Sequence, residues 1–97
     1  MVSIADLELG KEVAVSAEIV SVSGRRGFKK GLDILEVAVA DDTGRIFAVW
    51  FNQPYLRHYF KVGKHVILFG RPELYCGRIQ MPGPEFEIAG DNEADSL

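Results

Sequence analysis

Residues 13–23 read VAVSAEIVSVS, and the place where their alternation breaks decides the fold. Apolar residues occupy the odd positions Val13, Val15, Ala17 and Ile19, then move to the even positions Val20 and Val22. Side chains along a strand alternate between two faces, so this pattern predicts a half-buried strand. The change of phase predicts a bend or bulge near Ile19. A bulge re-aims a strand so that it serves two sheets, which is how small closed barrels turn a corner.

The rest of the chain supplies partners for such a strand. LDILEVAVAD (32–41) reads as a second strand, and DDTGR (41–45) as the hairpin turn after it, because Asp side chains bond nearby backbone N–H groups and Gly44 tolerates positive φ. The third strand, RIFAVWF (45–51), is apolar on both faces, so periodicity does not choose an inner face. The expectation adopted is that Ile46, Ala48 and Trp50 point inward. Phe47 and Phe51 then lie on an outer surface, where large rings call for a partner. In NQPYLRHYFKVGK, Pro54 suits a first helical turn, Leu56, Tyr59 and Phe60 form a buried stripe, and Gly63 marks a stop. This predicts one helix of about two turns. HVILFGRPEL (65–74) reads as a fourth strand with an edge or bulge at Pro72, and RIQMPGPEFEI (78–88) as a fifth, interrupted at Pro82 and Pro84.

Five strands with one short helix between strands 3 and 4 is the order of the OB-fold, an all-β Greek-key barrel. The expected boundaries are a lead-in over 1–10, the barrel over 11–89, and an acidic tail or linker over 90–97. At 97 residues and 47% apolar content the chain is sized for one domain.

Charge is unevenly spread. The formal net charge is -3, yet residues 24–88 hold ten Lys and Arg against seven Asp and Glu. Cys76 is the only cysteine, and His58 and His65 stand apart, which argues against an internal disulfide and a zinc site. No stretch approaches the roughly 20 apolar residues of a membrane span. These features lead to the expectation of a soluble, cytoplasmic, monomeric domain. No phosphate-binding G-x-x-x-x-G-K-[ST] loop or nucleophile motif is present, so catalysis finds no support.

Three constellations are candidates for binding. GRRGFKKG (24–31), in the loop between strands 1 and 2, carries Arg25, Arg26, Lys29 and Lys30 around Phe28. Such a loop neutralises phosphates and stacks a ring on a base, or is a solvated loop whose charges aid solubility. FNQPYL (51–56) places Phe51 at the end of strand 3 and Tyr55 off the helix's buried stripe, with Asn52 either capping the helix or orienting a base edge or phosphate. LYCGRIQMPGPEF (74–86) reads as a hairpin tipped by Cys76-Gly77, whose Tyr75 and Arg78 either extend a basic, aromatic surface or are ordinary surface residues.

The stretch VWFNQPYLRHYFKVGKHVILFGRPELYCGRIQMPGPEFEI (49–88) resembles the wedge domain of the RecG ATP-dependent DNA helicase family. The likeness extends to DLELGKEVAVSAEIVSV, the D-x-T-G turn, G-K-x-V-x-x-x-G and G-x-x-Q-M-x-x-P-E-F-E. It implies an OB-fold that binds branched or single-stranded DNA and parts strands, while motor domains of the same polypeptide use ATP and Mg to pull the duplex. By position, Phe51 and Tyr55 look like the family's base-stacking pair, and Arg25, Arg26, Lys29 and Lys30 like its phosphate contacts. No cofactor is implied for this chain, since the motor motifs are absent from it. Two rival readings remain open from the residues: a general single-strand or tRNA-binding OB module, and an OB protein-interaction domain.

Overall fold

In the computed structural model, which describes residues 1–26 and 31–89, the first strand has two partners in succession. Strand β1 (Val13–Arg26) pairs antiparallel with β4 (His65–Gly70) from Val13 to Glu18, and with β2 (Asp33–Asp41) from Glu18 to Arg26. The β1–β2 register shifts between Ile19 and Ser21, where the sequence phase changes. Val20 is the extra residue, and it moves Val22 onto the core side, where it packs partly buried. The backbone holds the corner: Ile19 N–H donates to the Lys64 carbonyl at 2.8 Å, and Gly63 N–H donates to the Ile19 carbonyl at 2.9 Å. Gly63 therefore serves the turn into β4, with φ of 94°, and not the end of the helix.

Strand β3 (Gly44–Phe51) pairs with β2, and Ile46, Ala48 and Trp50 face inward as expected, each nearly or wholly buried. The turn before it works differently from its sequence reading. Asp41 does organise it, accepting from the backbone N–H groups of Thr43 and Gly44 at 2.7 and 3.0 Å. Gly44, however, does not adopt positive φ; it is needed because a Cβ there would lie 2.9 Å from Ile4 Cγ2. Ile4 belongs to a short 3-10 turn (Ile4–Asp6), and its N–H donates to Asp41 Oδ2 at 2.9 Å. The lead-in thus contributes a buried side chain to the barrel.

Among the described residues seven strands appear where five were expected. Pro72 and the Cys76-Gly77 turn create an added hairpin of β5 (Glu73–Tyr75) and β6 (Arg78–Pro82), and β7 (Glu85–Ala89) follows a break at Pro82-Gly83-Pro84. The strand order is β5-β6-β3-β2-β1-β4-β7. Because β6 runs parallel to β3 and β7 antiparallel to β4, residues 78–89 bridge opposite sides of the sheet and close the barrel. The architecture is an all-β OB-fold in which the fifth expected strand is kinked into two. Proline removes a ladder donor at the kink, while Gly83, at φ of 59°, lends its N–H to the Val49 carbonyl at 2.7 Å.

The expected helix is a 3-10 helix, Pro54–Tyr59, two turns at three residues each. Its tighter winding revises the buried stripe. Leu56 packs partly against the core, Tyr59 is exposed, and Phe60 is buried because it leaves the helix in extended conformation and turns its ring inward. That ring stacks on Trp50 at 4.9 Å and meets Phe86 at 4.7 Å, which anchors the helix to the barrel. Among the described residues no helix is long and apolar enough to cross a membrane.

Candidate nucleic-acid interface

Phe51 is the last residue of β3, and it is 47% exposed. The chain turns there because Asn52 adopts a left-handed backbone with φ of 59°. Its N–H donates to the Asp33 carbonyl at 2.7 Å, and its side-chain Oδ1 accepts from Asp33 N–H at 3.1 Å. Asn52 is therefore not the helix cap, a place taken by Gln53 without a side-chain bond. It locks the start of β2 to the end of β3. Pro54 then begins the 3-10 helix, which presents Tyr55 with 59% of its surface open, its hydroxyl 3.4 Å from Gln53 Nε2. The rings of Phe51 and Tyr55, one just before and one just after this fixed corner in the chain, are thus both open to solvent.

Two concavities flank that corner. A groove of about 460 Å³ is lined by the apolar Ile34, Val49 and Phe51, by Arg25, Tyr75 and Arg78, and by the carboxylates of Glu36 and Glu73. A second cleft of about 380 Å³ lies between β1, β2 and the helix, lined by Gly24, Pro54 and Arg57 among others. Arg25 and Ile34 border both. Gly24 lets the Arg57 guanidinium approach β1 closely, since a Cβ there would come within 2.9 Å of Arg57 Nη1.

Arg78 differs from the free surface charge of its sequence reading. Its guanidinium pairs with the Glu36 carboxylate and lies over the Phe47 ring, 4.1 Å from the centroid. The bond to Glu36 raises its already high pKa, so its charge is permanent. Phe47, expected on an outer surface, is accordingly half-buried beneath Arg78.

The structure brings Arg25, Phe51, Tyr75 and Arg78 to one groove, while Tyr55, on the helix that follows the corner, lines neither concavity. Arg26 ends β1, but its side chain lies outside the described residues, as do Phe28, Lys29 and Lys30 and the tail from 90 to 97. Sequence reading missed Arg57 and Glu36. The first carries a signal, a cation three residues after Pro54 on the helix that bears Tyr55, whereas Glu36 shows its role only through Arg78. Among the described residues no three His, Cys, Asp or Glu side chains gather to hold a metal ion.

Residues 1–97 match the sequence model of a family described as the RecG wedge domain. No curated protein sequence gives a match. Among solved structures, one of RecG bound to a three-way DNA junction superposes with a TM-score of 0.79 at 26% identity. That alignment covers 96% of this chain and only 13% of the RecG chain. A replication factor A related protein from Methanobacterium thermoautotrophicum superposes with a TM-score of 0.72 at 23% identity, covering 93% of this chain and 91% of its own. The second OB-fold domain of replication protein A from Methanococcus maripaludis gives 0.73 at 18% identity, covering 93% and 95%. At these identities the last two likenesses speak to the fold alone.

Proposed function

This chain belongs to the RecG wedge domain family, and from that membership we propose that it binds branched DNA and parts strands at the junction. In this reading the chain itself is a non-catalytic DNA-binding module. ATP-driven translocation, with its Mg, belongs to motor domains of a longer parent polypeptide, of which the domain is a small part, as the 13% coverage of the RecG chain is consistent with.

One observation carries the reading: two clefts share Arg25 and Ile34 in their linings, and an exposed ring stands just before and another just after the corner at Asn52. Phe51 lines the first, and the helix that bears Tyr55 supplies Pro54 and Arg57 to the second. A duplex end meeting the corner would have its outermost bases covered by the rings and its two strands led apart. Aromatic stacking is tolerant of sequence, and phosphate contacts carry no base information, so no sequence preference is expected. The segment 24–88 has a formal excess of only three cations, so binding by the isolated domain should be weak and salt-sensitive.

The test is fluorescence anisotropy with labelled fork, duplex and single-stranded DNA at low and moderate salt, for the wild type and the Phe51→Ala/Tyr55→Ala double variant. Fork-preferred binding that the double variant weakens, with its melting temperature unchanged, supports the proposal. Equal affinity for forks and single strands replaces it with a general single-strand module. No binding at low salt overturns it and favours a protein-interaction role.

A further inference from the structure

Arg78 is placed in an unusual way for a residue that would simply attract phosphates. Its guanidinium is planar. Its Cζ lies over the Phe47 ring, 4.1 Å from the centroid, and its Nη2 is taken by the Glu36 carboxylate. About a third of the side chain, 33%, nevertheless remains exposed. Arg78 and Glu36 line the same groove as Ile34, Val49 and Phe51, whereas Phe47 does not. The guanidinium therefore forms part of the groove wall with the Phe47 ring behind it.

Each interaction removes a way in which Arg78 would act as a point charge. Glu36 neutralises it locally, and a carboxylate beside it repels an approaching phosphate. What is left is a flat, cationic surface held in a fixed orientation. Guanidinium planes stack on nucleobases as aromatic rings do, and a lysine ammonium has no such plane.

We propose that Arg78 is a base-stacking shelf: Phe47 supports it from behind, Glu36 fixes its plane, and an unpaired nucleobase in the groove stacks on its open face. Glu36 is then a positioning residue. This rests on the DNA-binding reading above and adds a second stacking position to Phe51 within the same groove.

The test compares a labelled oligothymidylate with an abasic strand of the same length, which keeps the phosphates and lacks the bases, for wild type, Arg78→Lys, Arg78→Ala and Glu36→Gln across a salt series. Arg78→Lys, which keeps the charge, should bind oligothymidylate about tenfold more weakly, in the range expected for removing one stacked base. The slope of affinity against salt should not change, and the weakening should vanish on the abasic strand. Glu36→Gln should lose affinity in the same base-dependent way; its folding midpoint, and that of Arg78→Lys, are checked by urea titration so that a folding defect in one leaves the other to decide. Wild-type affinity in Arg78→Lys, with a flatter salt slope in Arg78→Ala, would make Arg78 a phosphate ligand and overturn the shelf alone. Because removing the carboxylate also eases the approach of phosphates on either strand, Glu36→Gln is read as the ratio of its affinities for the two strands, and a ratio equal to that of the wild type would overturn the positioning role of Glu36. If the wild type binds neither strand at low salt, the shelf is overturned, while the DNA-binding reading stands or falls on the fork measurement above.

Discussion

The indole Nε1–H of Trp50 donates to the backbone carbonyl of Pro84 at 3.1 Å, inside the core. This bond joins the last inward position of β3 to the kink between β6 and β7, so it fastens the segment that closes the barrel. Phenylalanine at 50 would fill most of the same space but leave the Pro84 carbonyl buried without that donor, a cost of about 1–3 kcal/mol. Urea unfolding of Trp50→Phe followed by circular dichroism should show a lower midpoint with an unchanged slope. An unchanged midpoint would mean that the kink is held by its Gly83 bond and by packing alone.

At the tip of the β5–β6 hairpin, Tyr75 pairs with Arg78 across two residues of positive φ, Cys76 at 51° and Gly77 at 80°. A two-residue hairpin turn of this kind favours Asn-Gly, because a left-handed backbone strains most side chains. Cys76 carries that strain. Cys76→Asn should stabilise the domain by on the order of 1 kcal/mol, read as a rise in melting temperature. The exchange also removes the single thiol, so the comparison is run under reducing conditions.

Asp41 gives the fold a predictable acid limb. Its carboxyl is held below the ordinary value of 3.8, first by the Thr43 hydroxyl and then by the backbone N–H of Ile4. A depressed folded pKa stabilises the protein in full above the unfolded value, and that contribution is lost as pH falls through the folded one. The urea midpoint should therefore hold from neutral pH down to about pH 5 as far as this group is concerned, and fall below about pH 4. Asp41→Asn should have a lower midpoint at neutral pH and a shallower acid decline. A parallel decline in both would assign the acid limb to other carboxylates.

Much of the barrel is legible in the sequence because alternation and turn chemistry are local. The phase change near Ile19, the Asp41 turn and the inward set Ile46, Ala48 and Trp50 all come from residues close in sequence. What escapes depends on distant partners. Gly44 reads as a turn glycine, but its reason is Ile4, near the start of the chain. Asn52 reads as a helix cap until Asp33 claims both its N–H and its Oδ1. The prolines at 82 and 84 read as interruptions, and only the pairing of β6 with β3 and β7 with β4 turns the interruption into closure. Of the candidate interface, the exposed rings of Phe51 and Tyr55 follow from their offset against the core pattern. The pairing of Arg78 with Glu36 and the approach of Arg57 to Gly24 join elements that no sequence period relates.

That approach yields a functional prediction of its own. If the second cleft takes a strand leaving the corner, the Arg57 guanidinium meets its phosphates, and a fork engages both clefts while a short single strand needs only one. Arg57→Ala should weaken fork binding more than single-strand binding and lower the salt slope by about 0.7–0.9 for each phosphate no longer neutralised. Gly24→Ala offers an independent approach to the same side chain, since the added Cβ would sit 2.9 Å from Arg57 Nη1 and displace it without removing its charge. A fork-selective weakening in both variants ties the effect to where Arg57 stands. A weakening in Arg57→Ala alone, equal on forks and single strands, would reduce Arg57 to a general contribution to the positive field, and strand parting would then rest on the aromatic corner without a second path.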